Sequence, residues 1–256
     1  MKGEDILGNI AILKFDWAEK QKDKKKAALK FLREHKQVRT VLEKSGKISG
    51  RLRTLKTKYI FGEKTKEALY KENGCVFRFN VDSCYFSPRL SSERSEVAKM
   101  VKPNENVLVM FSGVAPFPII ISKLSKAKKI VAIELGKACV KYARDNIKRN
   151  KLHNIELIQG NVRKVLPKLK EKFDRIIMAR PNLKDSFLDI AFKAIKKNGT
   201  IYYYGFYKES DKYKLIKLVK DESEKAKKKI RILKIKRAGD IGIRKFRFRL
   251  DLKVLN

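Results

Sequence analysis

Cysteine is scarce in this chain: Cys75, Cys84 and Cys139 are the three among 256 residues, and none is spaced as C-x-x-C. An odd, scattered set disfavours both a disulfide framework and a zinc site. Histidine is scarcer still, and His35 and His153 stand among charged residues, where solvation rather than metal binding is expected. Long apolar runs are missing too. Nothing approaches the roughly 20 residues of a spanning helix, and Met1–Asp5 does not open like a signal peptide. These absences predict a cytoplasmic monomer with no metal and no membrane attachment. Acid is the last shortage. Against 28 Asp+Glu stand 64 Lys+Arg, a formal charge of +36. A hot habitat or a biased genome also enriches lysine. A surplus this far beyond solubility nevertheless points to a polyanionic partner, nucleic acid before an anionic membrane.

Hydrophobic residues make up 43% of the chain, enough for a packed core. Their pattern changes near residue 85. Before it, short strand-like runs at Asn9–Phe15, Val38–Leu42, Tyr59–Phe61, Ala68–Tyr70 and Val76–Phe79 are punctuated by glycines. One helix is expected over Glu19–Glu34, with an apolar stripe of Ala27, Ala28, Phe31 and Leu32. Lysines cover the rest of it, as either a solvated face or a phosphate-contacting one. Residues 1–84 are read as a small α+β domain that contacts RNA. From Ser87-Pro88, a predicted N-cap with Pro at N1, helices alternate with strands at Asn106–Met110, Lys129–Glu134, Ile155–Gln159, Arg175–Met178 and Thr200–Tyr204. Such alternation predicts a Rossmann-like, doubly wound α/β sheet over residues 85–256. Ile230–Lys236 and Phe246–Val254 close it as an antiparallel edge.

In such a sheet the ligand sits at the carboxyl ends of the strands. The first strand ends in Met110-Phe111-Ser112-Gly113-Val114-Ala115-Pro116-Phe117, whose single glycine fails the G-x-G-x-x-G fingerprint. Gly113 still allows close backbone approach, and Glu134, 21 residues on, can accept both hydroxyls of a ribose. A nucleoside without phosphates fits better than a dinucleotide, which makes S-adenosylmethionine the candidate cofactor. The bland alternative is a plain Rossmann-like domain with a surface glutamate.

Several segments together resemble one family. Tyr85-Phe-Ser-Pro-Arg-Leu-Ser-Ser-Glu-Arg94, Phe111–Phe117, Val131-Ala-Ile-Glu134 and Asp174-Arg-Ile-Ile-Met178 are similar to the tRNA (guanine-37 N1)-methyltransferases of archaea and eukaryotes. Val38–Lys44 and Lys71–Cys75 fit as well, so the resemblance runs from about Asp5 to the C-terminus. It implies a methyltransferase sheet and tRNA, at the anticodon loop, as partner. The sister wybutosine-synthesising aminocarboxypropyl transferases share the sheet and loops.

Methylating guanine N1 requires that a proton leave the nitrogen and that charge developing towards O6 be stabilised, tasks for a carboxylate and a cation. Arg89 and Glu93, four apart on one predicted helix, read by themselves as a surface ion pair. The resemblance instead makes Glu93 the general base and puts Arg89 and Tyr85 in the same pocket, Tyr85 with the cofactor. It also implies that Arg94 contacts the cofactor and that Arg53 (or Arg51, two residues earlier) partners O6. Phe111, Gly113 and Val114 form the cofactor loop, Glu134 holds the ribose, and Asn161 and Val162 lie near the adenine, Asn161 standing where the family usually has Asp. Two features depart from the pattern. The family's Asn-Leu-Pro is Ala179-Arg180-Pro181 here, which keeps Pro181 at the cofactor but loses the asparagine that helps hold the base. The N-terminal module that many relatives carry has no counterpart, so the expected tRNA grip leans on the lysine surplus. Methyl transfer to guanosine 37 is the reading. The alternatives are C7 methylation of 4-demethylwyosine, aminocarboxypropyl transfer, and a basic RNA-binding module on a degenerate fold. Of the Tyr202-Tyr203-Tyr204 run with Phe206 and Tyr207, half is expected in the core and half free to stack on a base.

Overall fold

The computed structural model describes residues 3–16, 18–46, 50, 54–179, 184–242 and 244–256. Arg51, Arg53, Arg180 and Pro181, all singled out by the sequence, lie outside them.

The N-terminal part forms a four-stranded sheet of β1 (Gly3–Leu7), β2 (Ile10–Lys14), β3 (Thr40–Lys44) and β4 (Thr57–Gly62) in that order. The crossover from β2 to β3 is α1 (Gln21–Glu34), which makes that pair parallel. Ala28 and Phe31 bury the helix against Leu13, Val41 and Ile60, so the apolar stripe lies where its spacing put it. Lys24 departs from the solvated lysine face: it is buried and pairs with Glu43 at 2.6 Å. Strand β1 went unread, since Gly-Glu-Asp-Ile-Leu carries little of a strand's period-two pattern.

A hairpin of β5 (Glu67–Glu72) and β6 (Cys75–Asn80) follows, forming a two-stranded sheet of its own. A 3₁₀ turn, Pro88–Leu90, then leads into α2 (Ser91–Lys99). The expected N-cap does not form there. The Ser87 side chain caps nothing, and its carbonyl accepts from Leu90 N at 3.3 Å and Arg94 Nη2 at 3.0 Å.

Beyond it come β7 (Asn106–Met110), α3 (Pro116–Leu124), β8 (Lys129–Glu134), α4 (Lys137–Arg149), β9 (Ile155–Gln159) and α5 (Val162–Val165). The chain continues through β10 (Phe173–Met178), α6 (Leu188–Ala194), β11 (Ile195–Lys208), α7 (Lys212–Lys225), β12 (Ile230–Gly242) and β13 (Lys245–Val254). The large sheet has the order β12-β13-β11-β10-β7-β8-β9, parallel from β11 to β9. Val107-Leu-Val-Met110 and Ile130-Val-Ala-Ile133 are buried on both faces, as strands covered by helices on either side must be. The order reverses between β7 and β10, which opens a crevice above Met110 and Met178. The hairpin bonds to this larger sheet's α4 as well as to Asn9 of the N-terminal part. On α4, Asn146 and Asn150 each exchange two hydrogen bonds with its backbone, at Arg78 and Val76.

Both closing strands are present and pair antiparallel at one end of the sheet, as expected, but in reversed order. β13 is inserted between β11 and β12, antiparallel to both, so of the two closing strands β12 is the edge. Strand β11 is thereby central, and Tyr202, Tyr203 and Tyr204 are all buried; only Phe206 and Tyr207 beyond them are partly open.

Candidate active site

The loop after β7 is built under strain. Phe111, Gly113 and Ala115 all have left-handed backbones, with φ of 64°, 58° and 66°. Such conformations cost about 1–3 kcal/mol for a non-glycine residue and persist where the surroundings impose them. Glu134 at the end of β8 holds the glycine between the two strained residues. Its Oε2 accepts from Gly113 N and its Oε1 from Gly136 N, both at 2.7 Å. One carboxylate thus knits the two loops that close the crevice, and each of its oxygens keeps a second lone pair for a ligand hydroxyl.

The crevice is a cleft bounded at one end by Gly113, Ile133, Glu134, Leu135, Gly160, Asn161 and Val162, and at the other by Tyr204, Phe206 and Arg247. Tyr85, Phe86, Arg94, Phe111, Ser112, Phe117, Cys139 and Phe187 complete the wall. The two ends stand over β8 and β11, three strand spacings apart, or roughly 14 Å. Of the residues expected at the cofactor, Tyr85, Arg94, Phe111, Gly113, Glu134, Asn161 and Val162 all line this one cleft. Asn161 also caps α5, its Oδ1 accepting from Arg163 N at 3.1 Å. S-adenosylmethionine fits this lining. The nucleoside end pairs a carboxylate with apolar walls and the bare Gly113 backbone, and Ser112 Oγ is buried there without a hydrogen-bond partner among the described residues.

Val114 and Arg89 stand elsewhere than the sequence implied, and Arg94, though it lines the cleft, has its guanidinium engaged within the protein. Val114 points into the core and only its carbonyl, 3.2 Å from Asn146 Nδ2, makes a polar contact. Arg94 is buried and spends its guanidinium on a bidentate pair with Glu72 and on the Ser87 carbonyl. Arg89 does not pair with Glu93. It sits in the 3₁₀ turn, outside the phase of α2, and reaches out to Asp5 at 2.6 Å. Because the helix begins only at Ser91, Glu93 in its first turn faces the sheet.

Glu93 is buried beneath the acceptor end. Its Oε1 accepts from Tyr204 Oη at 2.7 Å and from Arg249 Nη1 at 2.6 Å, while Oε2 lies 3.4 Å from Lys236 Nζ. The carboxylate meets the cleft through Tyr204, whose ring lines it. Burial, then the Glu93 charge, hold the Tyr204 hydroxyl well above its usual pKa. Arg249 also binds Asp251 at 2.6 Å and Glu96 at 2.8 Å. These partners went unread because Arg247-x-Arg249-x-Asp251 alternates within an apolar strand, the pattern of a solvated edge face. Cys84 and Cys139, scattered in sequence, meet beside the cleft with Sγ atoms 2.6 Å apart. No described helix is long and apolar enough to cross a membrane.

The TRM5/TYW2 methyltransferase domain model matches residues 68–233, and the TYW2 N-terminal domain model matches residues 3–65. The chain is 35% identical over 251 residues to the tRNA (guanine(37)-N(1))-methyltransferase Trm5b of Pyrococcus abyssi, covering 98% of itself and 74% of that protein. A crystal structure of the Pyrococcus abyssi Trm5b superimposes with a TM-score of 0.88 at 34% identity, covering all of this chain and 76% of that one. It is 34% identical to the tRNA (guanine(37)-N(1))/4-demethylwyosine(37)-methyltransferase Taw22 of Nanoarchaeum equitans, over 98% of this chain and 99% of the relative. The structure of a complex of aTrm5 and tRNALeu aligns with a TM-score of 0.86 at 29% identity, covering 100% and 72% of the two chains. Nothing in these similarities supports a non-enzymatic RNA-binding module. With the methyltransferase model matched over residues 68–233 and relatives matched across nearly its whole length, the chain belongs to the TRM5/TYW2 methyltransferase family.

Proposed function

We propose that this protein methylates N1 of guanosine 37 in tRNA, with S-adenosylmethionine as donor. The observation that carries the reading is the buried Glu93 carboxylate behind the Tyr204 hydroxyl, at the end of the cleft opposite Glu134. S-adenosylmethionine supplies an electrophilic methyl group when bound. Everything else falls to the chain. Glu134, Asn161 and the Gly113 backbone hold the nucleoside end of the donor, and Tyr85 and Phe111 exclude water from it. Guanine N1 carries a proton that must leave as the nitrogen attacks. The geometry offers a two-step path: Tyr204 Oη accepts the N1 proton while its own proton passes to Glu93 Oε1. The tyrosine need not ionise first, which its raised pKa would oppose. Arg249 and Lys236 hold the Glu93 carboxylate in place behind the tyrosine. The charge of +36 suits a polyanionic substrate, consistent with the tRNA bound in the aTrm5 complex.

One observation favours a second reading, C7 methylation of 4-demethylwyosine at the same position. Ala179 stands where the family has its base-holding asparagine, and the Nanoarchaeum relative, matched over 99% of its length, is named for both substrates. Aminocarboxypropyl transfer is disfavoured by the methyltransferase-like Ser87-Pro-Arg-Leu90 segment. Incubation with S-adenosylmethionine and tRNA carrying either guanosine or 4-demethylwyosine at position 37, followed by nucleoside mass analysis, tests the assignment. The expected product is 1-methylguanosine. An aminocarboxypropyl adduct, or methylation of 4-demethylwyosine alone, contradicts it.

A further inference from the structure

Arg247 is the cation of the cleft without a carboxylate. It stands on β13 opposite Phe206 of β11, at the carboxyl end of the parallel sheet, and lines the acceptor end of the crevice. The side chain is more than nine-tenths buried, 7% exposed. Two residues along the same face, Arg249 satisfies its guanidinium with Glu93, Glu96 and Asp251. Arg247 makes no hydrogen bond or ion pair among the described residues; its guanidinium lies over the Phe206 ring, 5.4 Å from the centroid. A buried charge left in this way costs several kcal/mol unless something answers it. The five donors of a guanidinium form a planar fork, suited to a pair of acceptors in one plane.

We infer that Arg247 binds the O6/N7 edge of the target purine, O6 keeping its second lone pair for the Arg53 that the resemblance assigns to it, and so supplies base recognition where the family's asparagine is replaced by Ala179. This rests on the proposed function and deepens it. That edge presents two coplanar acceptors, and an arginine fork on them is the commonest specific contact to guanine. A backbone phosphate suits the site less well. It would bring its charge into a crevice walled by Tyr204 and Phe206, whereas a flat base stacks there. The contact also leaves N1 free to approach the donor and places positive charge beside O6 as the proton leaves.

The test is the affinity of anticodon stem-loop RNAs with guanosine or 7-deazaguanosine at position 37, measured with S-adenosylhomocysteine present. Arg247→Ala is expected to weaken the guanosine stem-loop roughly tenfold to a hundredfold. The 7-deaza substitution is expected to weaken binding to the unaltered protein and to cost the variant nothing further. Melting temperature and S-adenosylhomocysteine affinity should stay unchanged. If Arg247→Ala does not fold, Arg247→Gln carries the same comparison. Equal weakening of both stem-loops, with the log–log salt slope flattened by about one, would assign Arg247 to a phosphate and overturn the proposal. Unchanged affinity for the guanosine stem-loop overturns it as well. Failure of the functional reading shows separately, as an unaltered protein that forms no 1-methylguanosine while the 7-deaza comparison stands.

Discussion

Arg249 Nη1 lies 2.6 Å from Glu93 Oε1, and the two side chains are 0% and 4% exposed. The same guanidinium holds Asp251 and Glu96, so one cation answers three carboxylates. Arg249→Met would strand the buried Asp251 and leave Glu93 and Glu96 to share Lys236. Breaking a buried pair by removing one partner costs about 3–5 kcal/mol, and a loss of that size is expected in urea unfolding. Adding Asp251→Asn should restore part of it. Strictly additive losses would show that the carboxylates do not share Arg249.

Glu96 gives this cluster a pH signature. Burial acts to raise its carboxyl, but Lys236 and Arg249 outweigh burial and bring the pKa down to about 2 from 4.5. A depressed folded pKa contributes stability that is present above 4.5 and lost as pH falls through about 2. At neutral pH the protein should exceed Glu96→Gln in stability by on the order of 1–3 kcal/mol. Unfolding titrations should show that difference closing across this window. A difference constant down to the lower end would remove the ionic account.

Glu134→Ala removes a charged acceptor from the ribose and releases the amides of Gly113 and Gly136. Cofactor binding followed by calorimetry should weaken by about 1.5–3 kcal/mol, roughly tenfold or more. Unchanged affinity would put the ribose elsewhere.

The local part of the site was legible because it is local. The turn Phe111–Phe117 and Glu134 at a strand end can be picked out within a few residues of chain, whereas Asn161 comes from the family resemblance alone. What escaped was long-range. Glu93 finds Tyr204 and Arg249 at separations of 111 and 156 residues, and no helical spacing reports such partners. Spacing within one helix suggested Arg89 instead, and a 3₁₀ turn broke that phase. The alternating charges of β13 looked solvated because nothing in the sequence says that β13 lies inside β12 against β11 or that α2 covers its face.

Arg94 shows the same limit. Its pairing with Glu72 is 1% and 2% exposed, far from a surface bridge. Glu72→Ala should therefore destabilise the fold by about 3–5 kcal/mol. If urea midpoints barely move, the pair is not the anchor between hairpin and helix that its geometry indicates.

The most direct measurement is single-turnover methylation by Glu93→Gln, with Tyr204→Phe beside it. General-base catalysis supplies typically about 10²–10⁴ in rate. Glu93→Gln nearly keeps shape and removes the proton acceptor. It is expected to retain cofactor and tRNA affinity while the rate on guanosine 37 falls by about two orders or more, and Tyr204→Phe should fall with it as the other half of the path. A Glu93→Gln rate equal to that of the unaltered protein would contradict the account.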